Sequence, residues 1–155
     1  MSQISLLRYV VLALQRQGAR QLNLLLSEHG LTASQAEVLS VVGKYGPVTI
    51  KEVGAKLICE SGSPSRLVNG LIDRGLIVRS SLPHDKRASL LALSPSGRDL
   101  LDKVREVEDV CEAQLLEQIP GDQAVEVTRV LRRCVREESL DAALTARFPS
   151  DLQLT

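Results

Sequence analysis

The stretch from Glu60 to Ser94, ESGSPSRLVNGLIDRGLIVRSSLPHDKRASLLALS, restricts the fold more than any other part of the chain. Ser63 and Pro64 open a helix: a serine can cap the first free backbone N–H groups, and proline at the first helical position forfeits no bond it would have made. Pro64, Leu67, Val68 and Leu71 recur at helical spacing on one face, while Arg66, Asn69, Gly70 and Asp73 fall on a narrow polar face opposite. Gly75 stops this helix, and Leu76 to Arg79 resumes as a strand. The run SSLPHDKRAS is too polar to pack, and Ser89 to Leu93 is apolar again. The simplest geometry is an antiparallel hairpin whose tip carries His84, Asp85, Lys86 and Arg87.

A helix beside a protruding basic hairpin is a winged helix-turn-helix, which can lay the helix in the major groove and the hairpin over phosphates or the minor groove. The upstream sequence supplies the remaining helices. Leu7, Val10, Val11 and Leu14 repeat at helical spacing, Leu22, Leu25 and Leu26 continue the pattern, and Gly30 closes it. So many apolar positions predict a long first helix covered on more than one side. Thr32-Ala33-Ser34-Gln35 and Thr49-Ile50-Lys51-Glu52 are capping boxes, in which side chains at both ends satisfy each other's free N–H groups. The first opens a helix with Ala36, Leu39 and Val42 inward, ended by Gly46-Pro47. The second opens a short helix with Ile50, Val53 and Leu57 on one face. Leu57 to Gly62 then has the length of a helix-turn-helix turn.

Downstream, Ser94 and Pro95 open a long helix reaching about Gln118, with Leu100, Val104, Val107, Cys111 and Leu115 as a seam close to heptad spacing. Pro120-Gly121 breaks it. Asp122 can cap a last helix carrying Val127, Leu131, Cys134 and Val135 on one side, which Glu138 to Phe148 would extend; Pro149 onward reads as a loose tail. The fold class is therefore mainly α with a small β-hairpin wing. Its expected organisation is an N-terminal dimerisation helix (1–30), a winged helix-turn-helix (31–95), C-terminal dimerisation helices (96–148) and a tail (149–155).

Composition enters through charge. The chain is neutral overall, but residues 51–90 carry a net +3 and residues 91–155 a net −5. That segregation offers one face to phosphates and keeps the other away from them, although a solvated charge pattern without a partner would look similar. No apolar run approaches the roughly 20 residues of a membrane span, and Met1 to Gln17 reads as helix rather than signal peptide. Three scattered cysteines, Cys59, Cys111 and Cys134, argue against a disulfide framework and for a cytoplasmic setting.

The segment DKRASLLALSPSGRDLL resembles the wing and following helix of the MarR family of bacterial transcription regulators. That family carries an Asp-x-Arg pair in the wing, a strand ending in Leu-Thr, then Pro-x-Gly. This chain has Asp85-Lys86-Arg87, Leu93-Ser94 and Pro95-Ser96-Gly97, and upstream Arg66-Leu67-Val68 and Arg74-Gly75-Leu76 match the end of the family's recognition helix. The motifs cover roughly Leu31 to Leu101. The resemblance implies a homodimer joined through first and last helices, a near-palindromic double-stranded DNA site, and a repressor relieved by a small-molecule effector of unknown identity. It also implies that Asp85 positions the wing or its arginine. Pro64 departs from the family's usual β-branched residue and is expected to shorten or re-angle the recognition helix.

Residue chemistry assigns the DNA contacts. Arg66 suits guanine and Asn69 adenine, each through two parallel hydrogen bonds, while Ser63 and Ser65 serve base edges or phosphates. Arg87 fits the minor groove or a phosphate, and Lys86 a phosphate. The bland alternative for Arg66 is a surface ion pair with Asp73 or an acid elsewhere. Cys59 reads as an apolar plug under the turn, or, if its pKa were lowered, as the reactive group of a thiol-responsive regulator. The family's peroxide sensors hold their cysteine near the start of the first helix, where this chain has none. A winged helix that docks only on protein is the remaining rival. No catalytic motif, metal-ligand spacing or phosphate loop appears, so neither an enzyme nor a cofactor is expected.

Overall fold

The computed structural model describes residues 2–59, 62–82 and 85–149, apart from the side chains of 82 and 85–88. The order is α1 (Gln3–Ser27), α2 (Ala33–Tyr45), α3 (Ile50–Gly54), α4 (Pro64–Asp73), β1 (Ile77–Leu82), β2 (Asp85–Leu93), α5 (Pro95–Gln118), α6 (Gly121–Arg132) and α7 (Glu138–Arg147). The fold is mainly helical with a two-stranded antiparallel wing.

Helix α2 is the centre of the core. Both ends of its capping box form: Gln35 N–H donates to the Thr32 hydroxyl, and Thr32 N–H donates to the Gln35 side chain. Asn23 of α1 accepts from Ala33 N–H at 2.9 Å, so the first helix also helps to start the second. Ala36, Leu39 and Val42 are buried as the spacing predicts, but Val38 and Val41 are buried too, because α1, α4, α5 and the wing surround α2 on more than one face. The second capping box forms equally, with Thr49 and Glu52 satisfying each other at the start of α3. The two backbone and hydroxyl donors of Thr49 hold the Glu52 carboxyl below the usual carboxylate range.

The wing is longer than its composition suggests. Paired backbone runs from Ile77↔Leu93 to Ser81↔Ser89, then shifts register before Leu82↔Asp85. The polar segment expected to be an unpaired tip is thus largely strand, since ladder hydrogen bonds do not require apolar side chains. Val48, just before α3, adds a single bridge to Leu91.

The junction between wing and α5 explains the Leu-Ser-Pro-Ser-Gly segment. The Ser94 hydroxyl donates to the Gly75 carbonyl at 2.7 Å and accepts from Gly97 N–H at 2.9 Å, so one side chain ties the end of α4 to the start of α5. Gly75 takes φ +71°, the left-handed conformation glycine adopts without strain, and Leu76 N–H returns to the Leu71 carbonyl. Gly97 is needed for close approach: a Cβ there would lie 2.0 Å from the Leu76 carbonyl oxygen.

Three expectations fail in the C-terminal region. Asp122 is not the cap of α6; Pro120 occupies that position, and Asp122 lies in the first turn, where its charge complements the helix dipole. Glu138 to Phe148 does not extend α6 but forms α7, folded back so that Arg132 pairs with Asp141. The seam on α5 divides: Val104 and Val107 are buried, with Leu101 replacing the half-buried Leu100, whereas Leu115 is exposed. Of the expected tail, only Pro149 lies among the described residues.

Candidate nucleic-acid interface

Helix α4 presents the two faces its sequence encodes. Val68 and Leu71 are fully buried, each side chain contributing on the order of 2 kcal/mol by leaving water, and Leu67 is half-buried. Ser63, Ser65, Arg66, Asn69 and Asp73 are exposed. Ser63 sits at the cap position but its side chain makes no capping bond, which corrects the expected role. The Arg66 N–H that a capping side chain would take donates instead to the Ser63 carbonyl at 3.1 Å. Pro64 begins the helix and packs on α3 where Gly54 leaves room; a Cβ on Gly54 would meet the Pro64 ring at 3.0 Å.

Among the described residues Arg66 makes no ion pair, so the Asp73 alternative is not realised. Asn69 is engaged: Arg79 Nη2 donates to its Oδ1 at 2.9 Å. Strand alternation puts Arg79 on the same side as Ile77, facing α4, but beyond the rim of the core. The sequence reading missed Arg79 as a link between recognition helix and wing, although that alternation was available to find it. Asn69 keeps its amide donors and a second lone pair for a base. Arg74 is turned away, donating to the Gly30 carbonyl at 2.9 Å. The backbone of Asp85, Lys86 and Arg87 lies in β2, but their side chains lie outside the described residues, as does His84.

The turn before α4 is held from behind. Glu37 of α2 is buried, and its carboxylate accepts from the backbone N–H of Ile58 and of Cys59, both at 2.8 Å. It is also ion-paired to Arg147 at the end of α7. Cys59 is exposed rather than plugged beneath the turn. It borders a small cavity with Leu26, Ala36 and Glu37, and lost hydration, with Glu37 adding, pushes its thiol up to about 11. That shift runs opposite to the lowered pKa that a thiol-responsive Cys59 would need.

A winged helix DNA-binding domain family matches residues 31–97, the interval from α2 through the wing to the start of α5. The multiple antibiotic resistance protein MarR of Salmonella typhimurium is 33% identical over 84 residues, 54% of this chain and 58% of that protein. The HTH-type transcriptional regulator YkoM of Bacillus subtilis is 26% identical over 106 residues, 68% of this chain and 69% of its own. Residues 31–97 thus carry a winged helix DNA-binding domain, and the chain is similar to MarR and to other HTH-type transcriptional regulators. The match spans little more than half the length of the Salmonella protein.

Solved structures agree in fold. An E. coli MarR variant complexed with operator DNA superposes with a TM-score of 0.74 at 23% identity, covering 86% of this chain and 96% of that one. Bordetella bronchiseptica BpsR, whose DNA binding is regulated by 6-hydroxynicotinic acid, superposes at 0.72 with 19% identity, covering 83% and 97%. No described helix in this chain is long and apolar enough to cross a membrane.

Proposed function

We propose that this chain is a MarR-family regulator, a homodimeric repressor that reads a near-palindromic operator and releases it when a small-molecule effector binds. The observation that carries the reading is a pairing of two surfaces. One is the exposed polar face of α4, and the other is an apolar face that no described residue covers. Leu7, Val10, Val11 and Leu14 of α1, with Val110 and Leu115 of α5, stand in solvent. A patch of that kind marks a protein interface. A second copy on the 1–30 and 96–148 segments would set two 31–95 reading units on successive turns of one duplex.

In this reading Arg66 and Asn69 contact base edges, Ser63 and Ser65 bases or phosphates, Lys86 a phosphate and Arg87 the minor groove or a phosphate, with Asp85 positioning the wing. The effector would enter the cavity of about 240 Å³ between α2, α5 and α7, lined by Lys44, Tyr45, Arg105 and Arg147. The Ser40 hydroxyl, buried and without a partner among the described residues, borders it. Three cations against Glu108 suit an organic anion.

The test is selection of bound fragments from random duplexes by the full chain, with sedimentation of the free protein. Two inverted half-sites centred about 10 base pairs apart, and affinity that falls steeply with salt, are expected. A lone half-site with a monomeric protein, or binding indifferent to salt, would sink the proposal.

A further inference from the structure

The cluster around Glu37 uses groups that DNA contact alone does not require. Glu37 interrupts the apolar run of α2, and a carboxylate placed at 5% exposure is costly unless its lone pairs and charge are met. It is met from two directions. Ile58 and Cys59, the last described residues of the turn before Gly62, each give it a backbone N–H. From the far end of the chain, Arg147 gives it a guanidinium. Arg147 is itself fixed, since its carbonyl accepts from Lys44 Nζ at 3.2 Å and lies 3.4 Å from the Tyr45 hydroxyl, which is 3.2 Å from the Ala146 carbonyl. Ala143, one turn earlier in α7, is fully buried.

We infer that Glu37 is a positioning residue for the recognition helix and that α7, through Arg147, controls it: the seated helix keeps the turn in its DNA-binding conformation, and a displaced one releases it. Glu37 is anchored in the most buried helix, so it cannot follow Arg147 outward. Removing the guanidinium leaves a buried charge with two amide donors and no counter-ion, and water must reach it. Water arrives where the two N–H groups now sit. The remaining ionisable neighbours are Glu108 of α5 and Cys59, which line the same small cavity, and neither can replace the cation. The consequence is a link between the C-terminal helix and the DNA-reading element that does not pass through the wing or the long helix α5. The inference rests on DNA binding by α4 and not on the effector reading.

The test uses the full chain and an operator duplex obtained by the selection above. If the turn is competent in about one tenth of the molecules once Arg147 is removed, Arg147→Gln weakens duplex binding about tenfold, and Glu37→Gln does at least as much. Arg147→Lys, which keeps a cationic donor, restores most of the affinity. Hydrogen exchange then separates positioning from general stability. In Arg147→Gln the amides of Ile58 and Cys59 lose protection while those of Leu39 and Val42 in α2 keep it. In the unaltered protein, the Ile58 and Cys59 amides should open together with those of α7, a readout that survives even if a variant fails to fold. Independent opening of the two segments would overturn the inference. So would wild-type affinity in Arg147→Gln, or a loss of affinity matched by equal loss of α2 protection and not rescued by lysine.

Discussion

The first half of α1 is richer in apolar residues than α2, yet it is α2 that is buried. From Leu7 to Leu14 the large apolar side chains keep 41% to 55% of their surface in water, whereas Val38, Leu39, Val41 and Val42 keep almost none. Propensity does not separate them. What differs is the company around them: α2 is capped by Thr32, Gln35 and Asn23 and surrounded by α1, α4, α5 and the wing. Among the described residues the N-terminal half of α1 has no such neighbours; the helix is tied lower down, by Gln21 to Gln114 of α5 and by Asn23 to Ala33. Apolar periodicity therefore predicts that a helix needs cover, and not whether its own chain supplies it.

Four tests would break or sharpen that contrast. The largest effect belongs inside the lobe: Gly97→Ala drives a methyl into the Leu76 carbonyl and should cost about 3 kcal/mol, read by urea denaturation. The same substitution at Gly18 of α1, where a Cβ meets nothing, should be harmless. Next, Val11→Glu with Leu14→Glu should leave the lobe folded by circular dichroism but yield a monomer on sedimentation. Operator affinity would then fall about 100-fold as the second half-site is lost. Third, Arg87→Ala should weaken binding to every duplex and flatten the salt slope, while Asn69→Ala should cost about 1 kcal/mol or more at a single base position. Equal losses on all sequences for both variants would contradict those assignments.

The smallest effect concerns Glu108. Burial pushes its carboxyl up, with Glu112 and Asp109 adding and Arg147 and Arg105 opposing. A carboxyl whose folded value lies above its unfolded value subtracts stability as pH rises past the unfolded value, and subtracts nothing where both states are protonated. Glu108→Gln should therefore raise the melting midpoint at pH 7, by no more than about 2 °C, and the gain should vanish below about pH 4.

Local chemistry was the legible part of the sequence. Both capping boxes, the glycine stop at Gly75 and the two faces of α4 depend on neighbours three or four residues away, and they fold as read. What stayed hidden depends on distant partners. Val38 and Val41 lie off the predicted stripe because α2 is enclosed from several directions. Glu37 looks like an ordinary surface acid until Ile58, Cys59 and Arg147 arrive from 21 to 110 residues away. The break between α6 and α7 carries no proline or glycine, only Arg133 to Glu137. Within the candidate interface, Ser65, Arg66 and Asn69 are legible as exposed, whereas the Arg79 link to Asn69 requires the wing to be folded.

The Ser94 hydroxyl has a mechanical consequence. Because a single oxygen finishes one helix and begins the next, α4 and α5 behave as the two arms of a crank welded at the elbow. Bending there would cost both bonds at once, so any swing of α5 carries the reading head with it. In the dimer proposed above, the angle between the two copies of α5 would therefore set the gap between the two reading heads.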